Sequence, residues 1–357
     1  MVNILNHRIK EYLKKLDPKI FGLNKIESIL TQKIGLGESN LNYLAIMNGK
    51  KFTVRINMDP SSSNKSEREY NYLKIVEPLD IAPRVFHFES SKKYLGETFI
   101  ILEYLEGRSL NKYKEIDEDL ERKLGRVVAQ LHNTNIKNMK NRLERHGSSK
   151  IHLLYKIKRR IDYINAKRNL YFTIRGEFED VLENSYRNLQ RMKINMKPSY
   201  VFGHGDIAPQ NVIFSQGKLK LIDWEDLGLI DRALEIAIIF DAFDFSEREK
   251  ELFLNGYLEV REDASLKNKI PFFMPFQLFG VFCWAIMHIY ELGEGEMHED
   301  FLKEQDLKKH IDYAEKIFTK CKREGIISKN VKWNVSEIVP EKYLRTINFQ
   351  LKREKMI

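Results

Sequence analysis

The chain has 357 residues, 43% of them hydrophobic and 31% charged, so it can bury a sizeable core and is longer than one typical domain. Its formal net charge is +9, with 60 Lys and Arg residues against 51 Asp and Glu residues. The two cysteines, Cys283 and Cys321, exclude a disulfide framework, match no metal-ligand spacing and suit a reducing compartment. The first sixteen residues are charged throughout and lack the apolar core of a secretion signal, so we expect a cytoplasmic protein.

The first informative segment is a glycine-containing turn between two apolar runs, from Ile34 to Tyr43. It contains Gly35, Gly37, Ser39 and Asn40. Glycine permits close backbone approach, and the amides of such a turn can donate to phosphate oxygens. Two glycines also suit any hairpin, so both interpretations stay open at this point.

A strand and a helix are predicted next. Lys51 to Ile56 alternates in strand fashion and carries Arg55, whose guanidinium can bind phosphate through two hydrogen bonds. Ser66 to Val76 has a capping residue and an apolar stripe, which indicate a helix, and it presents Glu67 and Glu69.

The middle of the chain alternates between apolar and amphipathic segments. Thr98 to Leu102 is an apolar strand that runs into a turn, and Leu120 to His132 has the period of an amphipathic helix. Residues 146–197 are interpreted as two charged amphipathic helices. We expect Pro198 to end the second helix, because proline disfavours helix in the residue before it.

A group of polar residues with defined spacing follows. His204, Asp206 and Asn211 lie between two short apolar runs, and Asp223 follows a third. The predicted strands are residues 200–202, 212–214 and 218–222, with a hairpin turn at residues 215–217. An Asp on a tight loop can accept the proton of a hydroxyl, an Asn five residues later can ligate Mg²⁺, and a second Asp can bridge the metal to phosphates.

His204-Gly205-Asp206 with Asn211 and Ile222-Asp223-Trp224-Glu225 resembles the aminoglycoside phosphotransferase and choline kinase family of small-molecule kinases. The resemblance implies an α+β, two-lobed protein-kinase-like fold, with an N-terminal antiparallel sheet lobe and a larger, mainly helical C-terminal lobe. We expect a nucleotide-binding lobe over residues 1–106 and a catalytic and substrate-binding lobe over residues 107–357, with the helical insertion near 146–197.

The resemblance also implies how the nucleotide is held, with ATP or GTP as the donor. The turn at residues 35–40 would cover the phosphates. Arg55, steadied by Glu69, stands where protein kinases place the Lys that holds the α- and β-phosphates, with Lys50 or Lys51 as the alternative ligand. At the hinge, adenine would contact the carbonyl of Glu103 and the amide of Leu105.

For the chemistry itself, the resemblance implies that Asp206 orients and deprotonates the acceptor hydroxyl. Asn211 and Asp223 would bind Mg²⁺. His204 is a second candidate at the catalytic loop, and we expect it to support the loop rather than to take the proton.

The stretch from Pro271 to Tyr290 has no charged residue and is long enough to cross a bilayer. We interpret it as a buried helix, shortened at its start by Pro271 and Pro275, and predict no membrane span. It also resembles the aromatic helix of choline kinases, whose tryptophans help to form a pocket for a quaternary ammonium. Met287 stands where that pattern has its second tryptophan.

The expected acceptor is a small, cationic hydroxyl compound, because acidic residues in the second lobe suit ammonium groups. The candidate acceptor residues are Glu225, Asp226, Asp244, Trp284, Tyr290 and Glu291. An aminoglycoside phosphotransferase-like enzyme is the leading interpretation, and a choline or ethanolamine kinase is the alternative. A noncatalytic nucleotide- or RNA-binding protein is the alternative of another class. We do not expect a nucleic-acid partner, since no aromatic-basic RNA signature accompanies the basic segments.

Overall fold

The computed structural model describes residues 2–36, 40–58, 65–112, 119–135, 150–172, 176–193, 197–295 and 307–343. The chain divides into two compact units. The first comprises Met1–His146, Val201–Ile230 and Ala242–Asp263, and the second comprises Gly147–Tyr200, Asp231–Asp241 and Ala264–Ile357. The lobe boundary at residue 106 stays a prediction.

An antiparallel five-stranded sheet organises the first unit. Its strands are β1 (Ile29–Leu36), β2 (Asn40–Met47), β3 (Lys50–Asn57), β4 (Val85–Glu89) and β5 (Phe99–Glu103), in the order β1-β2-β3-β5-β4. Successive side chains of a strand point to opposite faces, so Tyr43, Ala45 and Met47 of β2 all enter one core. Helix α1 (Val2–Leu13) contributes Ile9 and Tyr12 to the same core.

Shorter strands carry the central part of the chain. They are β6 (Arg108–Ser109), β7 (Tyr200–Gly203), β8 (Val212–Ser215), β9 (Lys218–Leu221) and β10 (Gly228–Asp231). β6, β8 and β9 form one sheet in that order, and β7 pairs with β10. The three strands predicted around the polar motif are therefore confirmed. The predicted hairpin turn joins β8 to β9, with Gln216 and Gly217 at φ 51° and 79°.

The remaining described elements are helical. They are α2 (Lys65–Val76), α3 (Leu120–His132), α4 (Lys150–Arg168), α5 (Glu177–Arg191), α6 (Arg232–Ala242), α7 (Glu247–Val260), α8 (Leu266–Glu294), α9 (Leu307–Arg323) and α10 (Val335–Ile338). The two helices predicted within residues 146–197 are α4 and α5. The second ends at Arg191, before the predicted stop at Pro198, and its cap residue Met192 is already extended.

Helices α3 and α7 of the first unit pack at very short range through two glycines. A Cβ on Gly125 would lie 2.1 Å from the carbonyl oxygen of Phe253, and one on Gly256 would lie 2.0 Å from that of Arg122. Both obstacles are backbone atoms, which cannot turn away as a side chain can. Each helix therefore needs a residue without a side chain at the contact.

The second unit is built around α8. Its side chains Phe279, Phe282 and Ile286 are fully buried in a core shared with residues of α4, α5 and α9. The helix is long and apolar enough to cross a membrane, yet 56% of its most apolar stretch is buried inside the structure. This packing agrees with the prediction of a buried helix.

The expectation that prolines shorten this helix is wrong. Helix α8 begins at Leu266 and runs through both Pro271 and Pro275. Proline removes one backbone amide from the helical ladder at each position, but the first turns are held by burial of Leu266, Ile270 and Phe273. Apolar packing outweighs the local preference here.

We predict that Gly125→Ala or Gly256→Ala destabilises the protein, because the added methyl group collides with backbone. Overpacking of this kind costs about 1–3 kcal/mol, which corresponds to a melting temperature lower by roughly 3–10 °C. Thermal unfolding followed by circular dichroism measures the change.

Gly280→Ala on α8 is the matched control. Its Cβ would meet only side-chain atoms at 3.6 Å and 3.8 Å, which is ordinary contact. Alanine is also the better helix former by about 1 kcal/mol. Unchanged stability of both Gly125→Ala and Gly256→Ala would contradict the close packing of α3 and α7.

Candidate active site

The loop between β7 and β8 holds Asp206 in a fixed orientation. Nδ2 of Asn211 donates to the backbone carbonyl of Asp206 at 3.0 Å and to its carboxylate Oδ2 at 2.8 Å. Both partners are acceptors, so the amide hydrogens point towards Asp206 and the amide oxygen of Asn211 is turned away from it. The five-residue spacing thus orients one carboxylate and leaves one amide oxygen for another ligand.

His204 is fully buried, and its two ring nitrogens join the loop that carries Asp206 to the segment that follows β9. Nδ1 accepts from the amide of Asp206 at 3.3 Å, and Nε2 lies 3.0 Å from the carbonyl oxygen of Ile222. With Nδ1 accepting from a backbone amide, Nε2 is the nitrogen that can donate to the carbonyl of Ile222. The imidazole also packs against the ring of Trp224, with 4.6 Å between centroids. These contacts agree with a supporting role rather than proton abstraction.

Gly205 lies between His204 and Asp206, and its backbone conformation and close surroundings exclude a side chain. Its φ is +86°, and a Cβ would lie 2.4 Å from the carbonyl oxygen of Asp226. The turn that contains Asp226 therefore lies directly against the catalytic loop. This contact accounts for glycine at the position where protein kinases normally carry Arg.

Asp223 follows β9 with left-handed backbone dihedrals, φ 68° and ψ 65°. Such a conformation is uncommon for a residue with a side chain, and it concentrates at functional sites. The carboxylate of Asp223 forms an ion pair with Nη2 of Arg55. The turn after β9 thus brings the second predicted Asp to β3.

Arg55 of β3 and Glu69 of α2 form the ion pair that the sequence predicts. Nε of Arg55 lies 3.3 Å from Oε2 of Glu69, and the two residues are only 8% and 4% exposed. Burial acts to lower the pKa of Arg55, but Glu69, Asp223 and Glu225 outweigh it and raise the pKa. Burial raises the pKa of Glu69 to about 7, against the opposing charge of Arg55.

The pKa of Asp206 lies above the usual range for an aspartate side chain. Burial raises its pKa to about 6, and the charges of Asp223, Asp226 and Glu225 add to the shift. The hydrogen bond from Asn211 acts in the opposite direction. Carboxylates outnumber cationic groups around Asp206, and such a site favours the arrival of a cation.

The donor set fits Mg²⁺. The carboxylate of Asp223 and the amide oxygen of Asn211 are hard oxygen ligands, and Mg²⁺ in kinases takes one or two carboxylates together with substrate phosphates. Within the described ranges, no group of three or more His, Cys, Asp and Glu side chains could hold a metal ion. A metal shared with nucleotide phosphates does not need such a group.

Only the two ends of the predicted phosphate-covering turn lie within the described residues. Gly35 lies in β1 at a register shift, and Asn40 is the first residue of β2. Gly37 and Ser39 lie outside the described residues. Asn40 is 9% exposed, and its Nδ2 donates to Oε2 of Glu225 at 3.0 Å.

The predicted adenine hinge lies at the end of β5. Glu103 is the last residue of that strand, and its amide donates to the carbonyl of Arg84 at 2.8 Å. Its carboxylate accepts from the amide of Arg84 at 3.1 Å. Leu105 follows in the loop. The adenine contacts through the Glu103 carbonyl and the Leu105 amide stay predictions.

The acidic acceptor candidates of the first unit occupy different surroundings. Glu225 faces Asn40 and lies 3.9 Å from Nη2 of Arg55, so it lies with the residues that are predicted to hold the nucleotide. Asp226 is exposed on the turn beside the catalytic loop. Asp244 is exposed in a left-handed turn after α6, with φ 56°.

The candidates of the second unit all lie on α8. Trp284 is partly buried and stacks on His288, with 4.9 Å between centroids. Oε2 of Glu291 lies 3.4 Å from Nδ1 of His288. Tyr290 is fully buried, and its hydroxyl donates to the carbonyl of Ile338 at 2.5 Å. The structure therefore contradicts an acceptor contact for Tyr290, which is a core residue.

Two residues that support the site were not singled out from the sequence. Trp224 is 1% exposed, and its Nε1 donates to the carbonyl of Leu221 at 2.7 Å, which braces the turn that carries Asp223. Nη2 of Arg68 donates to the carbonyl of Glu225 at 3.1 Å. The position of Trp224 inside the motif is a signal that could have been used. Arg68 has none, since it lies in an ordinary charged helix.

Comparison with known proteins places this geometry in a family. The profile of the phosphotransferase enzyme family APH matches residues 31–267. A curated relative, the protein LicA homolog of Mycoplasma capricolum, is 22% identical over 211 residues, which are 58% of this chain and 74% of that protein.

Several solved structures share the fold. The ethanolamine kinase of Plasmodium vivax has a TM-score of 0.61 at 18% identity, with 87% of each chain covered. Choline kinase LicA from Streptococcus pneumoniae has a TM-score of 0.57 at 21% identity, with 87% of this chain and 99% of that chain covered. The AMP-bound spectinomycin phosphotransferase APH(9)-Ia has a TM-score of 0.61 at 14% identity, with 91% and 99% covered.

These neighbours confirm the predicted α+β, two-lobed protein-kinase-like fold, with an N-terminal antiparallel sheet and a mainly helical remainder. The predicted activity class, an ATP-dependent phosphotransferase that acts on a hydroxyl group, is also confirmed. The family profile spans most of the chain and includes every residue of the catalytic loop. The chain therefore belongs to the phosphotransferase enzyme family.

Proposed function

We propose that this chain transfers the γ-phosphoryl group of ATP to a hydroxyl of a small, cationic molecule, with Asp206 as the base. The observation that carries the proposal is the grouping of Asp206, Asn211 and Asp223 with the Arg55–Glu69 pair in one unit. Phosphoryl transfer requires little covalent chemistry from the protein, and positioning with charge neutralisation supplies most of the rate.

In this mechanism Asp206 accepts the hydroxyl proton through the carboxylate that Asn211 orients. A pKa raised to about 6 brings this base closer to the working pH, which is the condition for efficient proton transfer. Arg55 binds the nucleotide phosphates, which releases the carboxylate of Asp223 from its ion pair. Bound by Asn211 and Asp223, Mg²⁺ would neutralise the phosphate charge during transfer.

An amino alcohol of the choline or ethanolamine type is the acceptor that we place first. The support is the curated LicA homolog together with the choline and ethanolamine kinases among the structural neighbours. Aminoglycoside-type acceptors come second, supported by the spectinomycin phosphotransferase neighbour.

We predict that the purified protein releases ADP from Mg²⁺–ATP in the presence of one class of acceptor. The panel contains choline, ethanolamine, spectinomycin and gentamicin, and GTP is tested beside ATP. Asp206→Asn removes the base while keeping a hydrogen-bond acceptor for Asn211. Turnover should therefore fall by at least about 100-fold, with nucleotide affinity within about threefold of wild type.

Two results would oppose this proposal. Undiminished turnover by Asp206→Asn would remove Asp206 from the base role. Nucleotide binding without turnover on any acceptor would favour the noncatalytic alternative.

We further predict that Asp206→Asn stabilises the nucleotide-free protein above pH 6. The folded-state pKa of about 6 exceeds the ordinary aspartate pKa of 3.8, so the folded state binds more protons, and stability falls as the pH rises through this window. Asparagine removes the cost of ionising a buried carboxylate. The melting temperature should rise by about 3–8 °C at pH 8 and change little at pH 4.

Differential scanning fluorimetry from pH 4 to pH 8, without nucleotide or Mg²⁺, measures this effect. Asp244→Asn is the control, because the Asp244 side chain is exposed and asparagine also tolerates its left-handed backbone. An Asp206→Asn variant less stable than wild type at pH 8 would show that ionised Asp206 stabilises the fold instead.

A further inference from the structure

Glu225 is held by three elements of the first unit. Its carboxylate Oε2 accepts from Nδ2 of Asn40 on β2 at 3.0 Å and lies 3.9 Å from Nη2 of Arg55 on β3. Its backbone carbonyl accepts from Nη2 of Arg68 on α2 at 3.1 Å. Asp226, the next residue on the same turn, has an exposed side chain.

The bond from Asn40 joins two parts of the site that handle phosphate. Asn40 is the first residue of β2, directly after the turn that the sequence predicts to cover the phosphates. Glu225 lies two residues after Asp223 on a turn whose backbone is already left-handed at Asp223. Fixing the Glu225 side chain therefore restricts the direction in which Asp223 can point.

We propose that Glu225 is a positioning residue, and that its hydrogen bond from Asn40 sets the start of β2 in register with Asp223. Phosphates held at β2 and a cation held by Asp223 are then aligned before the acceptor is engaged. This inference rests on the proposed kinase function, and it replaces the acceptor-binding role that the sequence predicts for Glu225.

The hydrogen bond between Asn40 and Glu225 can be tested by exchanging its donor and its acceptor. Asn40→Asp places a carboxylate against the carboxylate of Glu225, which breaks the bond by like-charge repulsion. In the double variant Asn40→Asp with Glu225→Gln, the glutamine amide donates to the new carboxylate. The hydrogen bond returns with donor and acceptor exchanged, and the net charge equals that of the wild type.

The readout is nucleotide affinity without acceptor, measured with a fluorescent ATP analogue in Mg²⁺ and by displacement with ATP and with adenosine. We expect Asn40→Asp to weaken the binding of ATP by about tenfold, which is roughly 1.4 kcal/mol. The double variant should recover to within about threefold of wild type. Adenosine, which has no phosphate, should compete equally in all variants, whereas a general structural defect would weaken it too.

Asn42→Asp with and without Glu225→Gln is the matched control. Asn42 lies two residues further along β2, on the same face of the strand, and receives the same change of charge. Glu225→Gln should not repair any loss of ATP affinity that Asn42→Asp causes. Rescue at residue 42 equal to that at residue 40 would mean that only net charge matters, which overturns the proposal.

Nucleotide binding by the wild type distinguishes failure of the proposed function from failure of the proposed role of Glu225. Wild-type protein that binds no nucleotide overturns the proposed function and this inference with it. If the wild type binds ATP, the inference alone is overturned when Asn40→Asp leaves ATP affinity unchanged or when the double variant shows no recovery.

Discussion

The site depends on one buried cation. Arg55 is the guanidinium on which Glu69, Asp223 and Glu225 converge, and these three acidic residues arrive from a helix and from the turn after β9. Removing a partner from a buried ion pair leaves an uncompensated charge, which is far more costly than the net contribution of the pair itself. The charge of Arg55 therefore fixes where α2 and the turn after β9 approach β3. Three carboxylates around one guanidinium leave an excess of negative charge, which favours the binding of a metal cation.

The scaffold supports this electrostatic arrangement with rigid backbone. Arg55 lies within a central strand of the five-stranded sheet, and Asp206 and Asp223 lie beside short paired strands. The catalytic loop is then closed by internal bonds, from Asn211 to Asp206 and from the Asp206 amide to His204. Sites on strands and internally bonded loops hold their geometry better than sites on free loops. The close backbone contact at Gly205 also limits the movement of this loop.

Local patterns in the sequence were sufficient for the strands and the loop around Asp206. The apolar runs around Asp206 and Asp223 predicted their strands and hairpin correctly, because strand period and turn chemistry are short-range properties. The partner of Glu225 could not be predicted in this way, since Asn40 lies 185 residues away along the chain. The role of Tyr290 was ambiguous for another reason. An aromatic residue in an apolar helix fits a pocket and a core equally well, and only the packing of the second unit distinguishes them.

Helix α8 imposes an order on the folding of the second unit. Its partners α4 and α5 precede it in the chain, but α9 follows it, so one apolar face has no cover until residues 307–323 have been synthesised. Domains generally begin to fold during synthesis, and exposed apolar surface at that stage favours aggregation. The nascent chain consequently exposes part of the apolar surface of this 29-residue helix until α9 has been synthesised. The helix that forms the core of the finished unit is thus a site at which the unfinished chain can aggregate.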